Sequence, residues 1–247
     1  MTSNSILVSD PPGSKRKADG SFEAAGAPKK HKNTSSDFVA RYAGPKEEDM
    51  TEEQKQIRDA IVKSRPRTGL SGPFGPWLAV PEIAQPAQAL GRACRYGTSL
   101  SFRESELVIL LTGAKARSQS EFDIHVGEAL KAGISMEIIL AIPRDEDFSK
   151  EAVKEKLLPL LDNDREKAIA TFTSELLDTY TVSEETYNTT KTAVDGKDSV
   201  LVEITSIAGY YTYVAYTLNV FRIPSSGGGG GGGNGSADDG DSKKDEK

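Results

Sequence analysis

The stretch SFRESELVILLTGAKARSQSEFDIHVGEALKAG, residues 101–133, decides the fold class. Ser101 followed by Glu104 has the form of a capping box, in which two side chains satisfy amides at the start of a helix. Leu107, Val108, Leu110 and Leu111 then follow at helical spacing. Ser118 with Glu121 repeats the box, and Gly133 suits the left-handed residue that ends a helix. Two helices separated by a short break are therefore expected here.

Outward from this pair the punctuation stays helical. Thr51 and Gln54 form a possible capping box before a charged helix ending near Ser64. Pro81 occupies a plausible first helical position, and the helix it opens can run to Tyr96. Further helices are expected around Met136–Ile142, Lys150–Leu161, Asp164–Tyr180 and Glu184–Val194. No hairpin dipeptide separates alternating runs, so the class is all-α. Val200–Val220 contains one charge, Glu203, and is long enough to be tested as a membrane span. Its hydroxyl and amide content, with Tyr210, Tyr211, Tyr213 and Tyr216, fits a protein–protein interface better than lipid. We expect no membrane segment and a homo-oligomer.

The flanks read differently. Residues 1–50 are rich in Ser, Gly, Ala, Pro and Lys without an apolar period, and residues 225–247 open on a glycine run. Both are expected to be disordered tails around a domain spanning 51–224. Lys15-Arg16-Lys17 and Lys29-Lys30-His31-Lys32 resemble a bipartite nuclear localisation signal that pairs with an import receptor. An ordinary solvated basic tail is the alternative, so the expected address is cytoplasmic, nuclear or both. The terminal Lys-Asp-Glu-Lys lacks the final Leu of a retention signal, and Met1–Asp10 lacks a secretory pattern. A net charge of −6 argues against nucleic acid as a partner. The mean hydropathy of −0.46 suits a soluble chain. A single cysteine, Cys94, excludes an intramolecular disulfide.

Several motifs stand in a known order. Gly72-Pro73-Phe74-Gly75-Pro76-Trp77-Leu78, Pro81-Glu82 and Arg95-Tyr96-Gly97-Thr98-Ser99-Leu100 come first. Glu106-Leu107, Glu121-Phe122-Asp123-Ile124-His125, Gly209-Tyr210-Tyr211 and Thr217-Leu218-Asn219 follow. Over Gly69–Pro224 the chain resembles the carboxymuconolactone decarboxylase-like group, related to the alkylhydroperoxidase D-type disulfide reductases. The resemblance implies an oligomeric helical fold with a pocket close to a subunit interface.

The two branches of that superfamily differ in chemistry. The peroxidase branch carries Cys-x-x-Cys followed by His, with an upstream Glu and a second His in a proton relay. By this resemblance the two Cys positions fall on Ser118 and Glu121, the final His on His125, the upstream Glu on Glu106 and the second His on Ser120. Neither Ser nor Glu cycles between thiolate and disulfide, so a thiol peroxidase is disfavoured. The decarboxylase branch keeps Glu-x-x-x-His, and Glu121 and His125 stand one helical turn apart.

The implied activity is a cofactor-independent lyase acting on a small carboxylated lactone or other enolisable compound. His125, Glu121 and Glu106 are the candidate catalytic residues, with His125 able to donate a proton near neutral pH. Arg95, Tyr96, Ser118 and Trp77 are candidate substrate contacts. Five of these also have a local explanation: capping for Ser118, Glu121 and Arg95, a solvated charge for Glu106, and a wedge in the entry loop for Trp77. No metal is expected. Where related sequences place aromatic residues around the motif, this chain has Arg117, Ser120 and Phe122, so its substrate is expected to differ or be more polar. An isomerase or dehydratase of secondary metabolism, or a non-catalytic oligomeric module, remains open at this point.

Overall fold

A computed structural model describes residues 40–65 and 69–225, and no strand occurs among them. The basic clusters between Lys15 and Lys32 and the glycine run from Gly227 lie outside the described residues. Ten α-helices follow in order: α1 Glu52–Ser64, α2 Phe74–Trp77, α3 Pro81–Tyr96, α4 Phe102–Lys115, α5 Gln119–Lys131, α6 Met136–Ala141, α7 Lys150–Lys156, α8 Asp164–Thr179, α9 Glu184–Ala193 and α10 Asp198–Phe221. The all-α expectation holds across them.

α4 organises the domain because every residue from Glu104 to Ala114 is buried. α5, α8 and α10 all pack on it. Its Val108 and Ile109 face one core, shared with Ile57 and Ile61 of α1, Trp77, Cys94 and the inner side of α10. Leu107, Leu110 and Leu111 face a second core with Phe122, Ile138, Ile139, Val153 and Leu157. Burial of each such aliphatic side chain contributes about 1.5–3 kcal/mol. The start of α4 is fixed by its capping box, with Glu104 N donating to Ser101 Oγ (3.1 Å) and Ser101 N to Glu104 Oε2 (2.8 Å). Two ion pairs tie that end to α8: Arg103 to Glu166 at 2.8 Å and Arg165 to Glu104 at 2.6 Å.

The turn between α4 and α5 sets the site. Arg117 takes a left-handed conformation at φ 53°. Ser118 N then donates to Gly113 O (3.0 Å) and Arg117 N to Ala114 O (3.2 Å), the reciprocal bonds of a Schellman turn. α5 starts at once after it, so α4 and α5 are held as neighbours. α10 is anchored across this corner by Ser120 Oγ donating to Ile223 O (2.7 Å) and Asn219 Nδ2 to Ala116 O (2.9 Å).

Three expectations need correction. Residues 40–50 belong to the domain, because Arg41 N donates to Phe221 O (2.8 Å), Tyr42 lies against the Phe221 ring, and Ala40 and Met50 pack on the first core. Lys150–Leu161 is not one helix: α7 stops at Lys156 and Pro159 sits in a short 3₁₀ turn, Leu158–Leu160. Tyr210 and Tyr211 are buried, so only Tyr213 and Tyr216 of that quartet are exposed. No described helix is long and apolar enough to cross a membrane.

Candidate active site

His125 is the centre of a buried polar cluster. Its Nδ1 lies 2.8 Å from Glu106 Oε2 and its Nε2 lies 3.2 Å from Glu121 Oε1. Glu106 is 0% exposed, Glu121 3% and His125 7%. Spacing explains both partners: Glu121 is one turn upstream on α5, and Glu106 comes from the facing side of α4. Tyr211 of α10 closes the ring from the side, edge to face at 5.1 Å, with Tyr210 against it at 5.3 Å.

Arg95 at the end of α3 completes the cluster. Its Nη1 donates to Glu106 Oε1 (2.5 Å) and its Nη2 to Glu128 Oε2 (3.2 Å). The same Nη1 lies 3.3 Å from His125 Nδ1. Glu106 thus receives one donor on each oxygen, the guanidinium on one and the imidazole on the other. Glu128, one turn beyond His125 on α5, also accepts from Lys131 (2.7 Å).

These neighbours decide protonation. Burial alone would depress the His125 pKa, but the charge on Glu121, then the hydrogen bonds to Glu106 and Glu121, overcome it and raise the value to about 9. His125 is therefore an imidazolium at neutral pH, with both N–H groups directed at carboxylates. Burial pushes the Tyr211 hydroxyl well above its usual range, partly offset by Arg95. Tyr210 is raised chiefly by burial as well. Both hydroxyls remain neutral at neutral pH.

The candidate substrate residues separate. Arg95 is in the cluster, but its fork is held by Glu106 and Glu128. Tyr96 is 68% exposed and makes no described contact with the cluster. Trp77 is a wedge: its Nε1 donates to Thr217 Oγ1 (3.0 Å), and its ring stacks on Tyr213 at 4.7 Å and meets Tyr210 at 6.2 Å. It reaches His125 only through Tyr210 and Tyr211.

Ser118 is the N-cap of α5 but makes no cap bond, and its Oγ is buried without a partner. The expected Ser118–Glu121 capping box does not form, which leaves Glu121 for His125. Ser120 anchors Ile223, just beyond α10. Glu128 carries no local sequence signal for the site, and Tyr211 carries only its place in the Gly209-Tyr210-Tyr211 motif; the reach of Arg95 from α3 and the α5–α10 packing bring them in. Among the described residues no group of three His, Cys, Asp or Glu side chains is arranged to hold a metal. A cleft of about 340 Å³, lined by residues including Leu140, Pro143, Arg144, Asp145 and Lys156, lies apart from the cluster and contains none of the candidate residues. Buried charges and convergent hydrogen bonds, not concavity, mark the site.

No family profile matches the sequence, and no curated protein matches it. Two solved structures do match. One is an alkylhydroperoxidase D core protein, an uncharacterised peroxidase-related protein from Ralstonia eutropha JMP134. It is 16% identical with a TM-score of 0.59, over 76% of this chain and 92% of that one. The other is the debrominase Bmp8, a Cys→Ala variant bound to 2,3,4-tribromopyrrole. It is 9% identical with a TM-score of 0.57, over the same shares. The helical order, the α4–α5 pair and these matches together give the chain the fold of an alkylhydroperoxidase D core.

Proposed function

We propose that this protein is a cofactor-independent lyase that releases carbon dioxide from a small carboxylated lactone or related enolisable acid. The observation that carries the reading is the buried Glu106–His125–Glu121 relay, an imidazolium held between two carboxylates. Loss of carbon dioxide leaves an electron pair as a dienolate, which must be protonated on carbon. His125 Nε2–H faces Glu121, so the His125 proton passes through Glu121 to the substrate carbon. Glu106, held by Arg95, fixes the ring and balances its charge. The proton consumed per turnover returns from water. The neighbour bound to 2,3,4-tribromopyrrole holds a small planar ring, the size class proposed here.

Thiol chemistry is the weaker alternative within the fold. Cys94 is 2% exposed, and burial raises its pKa, which keeps it a thiol. An isomerase or dehydratase would use the same relay without carbon dioxide release. A non-catalytic reading is favoured by one observation, the near-complete closure of the cluster, since buried ion groups also serve to fix a packing arrangement. The test is a panel of carboxylated lactones and β,γ-unsaturated acids assayed in deuterium oxide. The lyase reading expects carbon dioxide release with one deuterium in the product. Deuterium exchange or water loss without carbon dioxide would move the assignment to isomerase or dehydratase. No turnover at all, with a stability loss in His125→Gln, would support the structural role.

A further inference from the structure

Among the described residues, the cluster around His125 meets solvent chiefly along one edge. Glu106, Glu121, Tyr210 and Tyr211 are buried, whereas the side chains of Arg95 and Glu128 keep 16% and 20% of their surface in water. The bond joining those two, Arg95 Nη2 to Glu128 Oε2 at 3.2 Å, is the longer arm of the fork, since Nη1 holds Glu106 at 2.5 Å. An ion pair that keeps contact with water is the easiest link of such a network to open. Glu128 also has a second place to rest. Lys131, one turn further on and 59% exposed, already holds its other oxygen at 2.7 Å.

Charge restricts what can enter at this edge. Arg95 and the His125 imidazolium face three carboxylates, those of Glu106, Glu121 and Glu128. A fourth carboxylate brought in beside them would leave water without a cation of its own, which is costly. A carboxylate that takes the place of Glu128 leaves the count unchanged. We infer that Glu128 stands in for the acid group of the substrate: a small carboxylate exchanges with it on Arg95 Nη2, and Glu128 retires onto Lys131. Arg95 stays pinned by Glu106 meanwhile, so the arriving group meets a fixed guanidinium whose Nη1 is 3.3 Å from His125 Nδ1. Phe102, half-exposed and with its ring 5.5 Å from that guanidinium, offers the rest of the ligand an apolar face. A neutral ligand has no charge with which to replace Glu128, so the exchange selects for an anion. The inference rests on the cluster being a substrate site, and it makes Glu128 a specificity-determining residue and not a proton carrier.

Titration calorimetry on the full chain, with 2-furoate and its neutral amide as probes, tests the exchange. Glu128→Gln keeps an acceptor for Arg95 and removes the competing charge. It should bind 2-furoate about tenfold more tightly than the wild type does, with no gain for 2-furamide. Lys131→Ala takes away the second resting place and should weaken 2-furoate binding. On a substrate that the carboxylate panel yields, Glu128→Gln should lower KM with kcat little changed, because the contact acts on binding alone. The inference is overturned if Glu128→Gln binds 2-furoate no more tightly, if the amide gains as much as the acid, or if neither protein binds 2-furoate. Tighter 2-furoate binding by Glu128→Gln without turnover of any panel member would remove the lyase and leave the exchange standing.

Discussion

His125 joins stability to chemistry at the scale of one residue. Its pKa rises from the ordinary 6.5 to about 9 in the fold, so it holds a proton more tightly when folded. The stabilisation is fully present below about pH 6.5 and is lost as pH rises through about 9. It amounts to roughly 3 kcal/mol. Urea denaturation of wild type and His125→Gln should therefore show a gap that narrows across pH 6.5–9, and the folded ring should titrate by NMR at about 9. A ring that titrates near 6.5 would remove the imidazolium from the account. Gly91 acts sterically: a Cβ there would lie 2.1 Å from the Tyr210 hydroxyl. Gly91→Ala should push the Tyr210 ring, and Tyr211 behind it, at a cost of about 1–3 kcal/mol in thermal denaturation.

At the scale of elements, helices were legible where local chemistry decides and illegible where tertiary structure competes. The boxes at Thr51–Gln54 and Ser101–Glu104 form as their spacing suggests. Ser118–Glu121 has the same spacing and fails for a structural reason. Ser118 also closes the Schellman turn of α4, which holds its ψ at 92°, whereas Thr51 and Ser101 have 162° and 159°. Its hydroxyl is turned away from the amides, and the Glu121 carboxylate is engaged by a buried imidazolium. Glu106 could be picked out only by its place among the ordered motifs, because α4 is buried on all sides and has no polar face to mark an exception. Glu128 and Arg95 stand 33 residues apart in sequence and meet only through packing. The same turn yields a prediction. Arg117 pays for a left-handed backbone, while its pair with Glu146 is exposed and weak. Arg117→Gly should raise stability by about 0.5–1 kcal/mol in denaturant titration.

For the whole molecule, the fold could be read from the ordered motifs, while its N-terminal edge could not. Composition ended the tail at residue 50, but Ala40, Tyr42 and Met50 contribute apolar contacts that no periodicity announces. Gly44 at φ 114° lets this segment pass directly over Gly75, a close approach visible only in three dimensions. The fold is one on which thiol and non-thiol chemistry are both conceivable, so the arrangement of side chains must decide between them. Here His125 lies between the Glu106 and Glu121 carboxylates, and the lone thiol is buried among apolar side chains. The most direct test is turnover by His125→Gln beside Cys94→Ala, on the substrate the carboxylate panel yields. The account predicts a loss of about 10²–10⁴-fold for His125→Gln and little change for Cys94→Ala. Loss in Cys94→Ala with His125→Gln unaffected would contradict it.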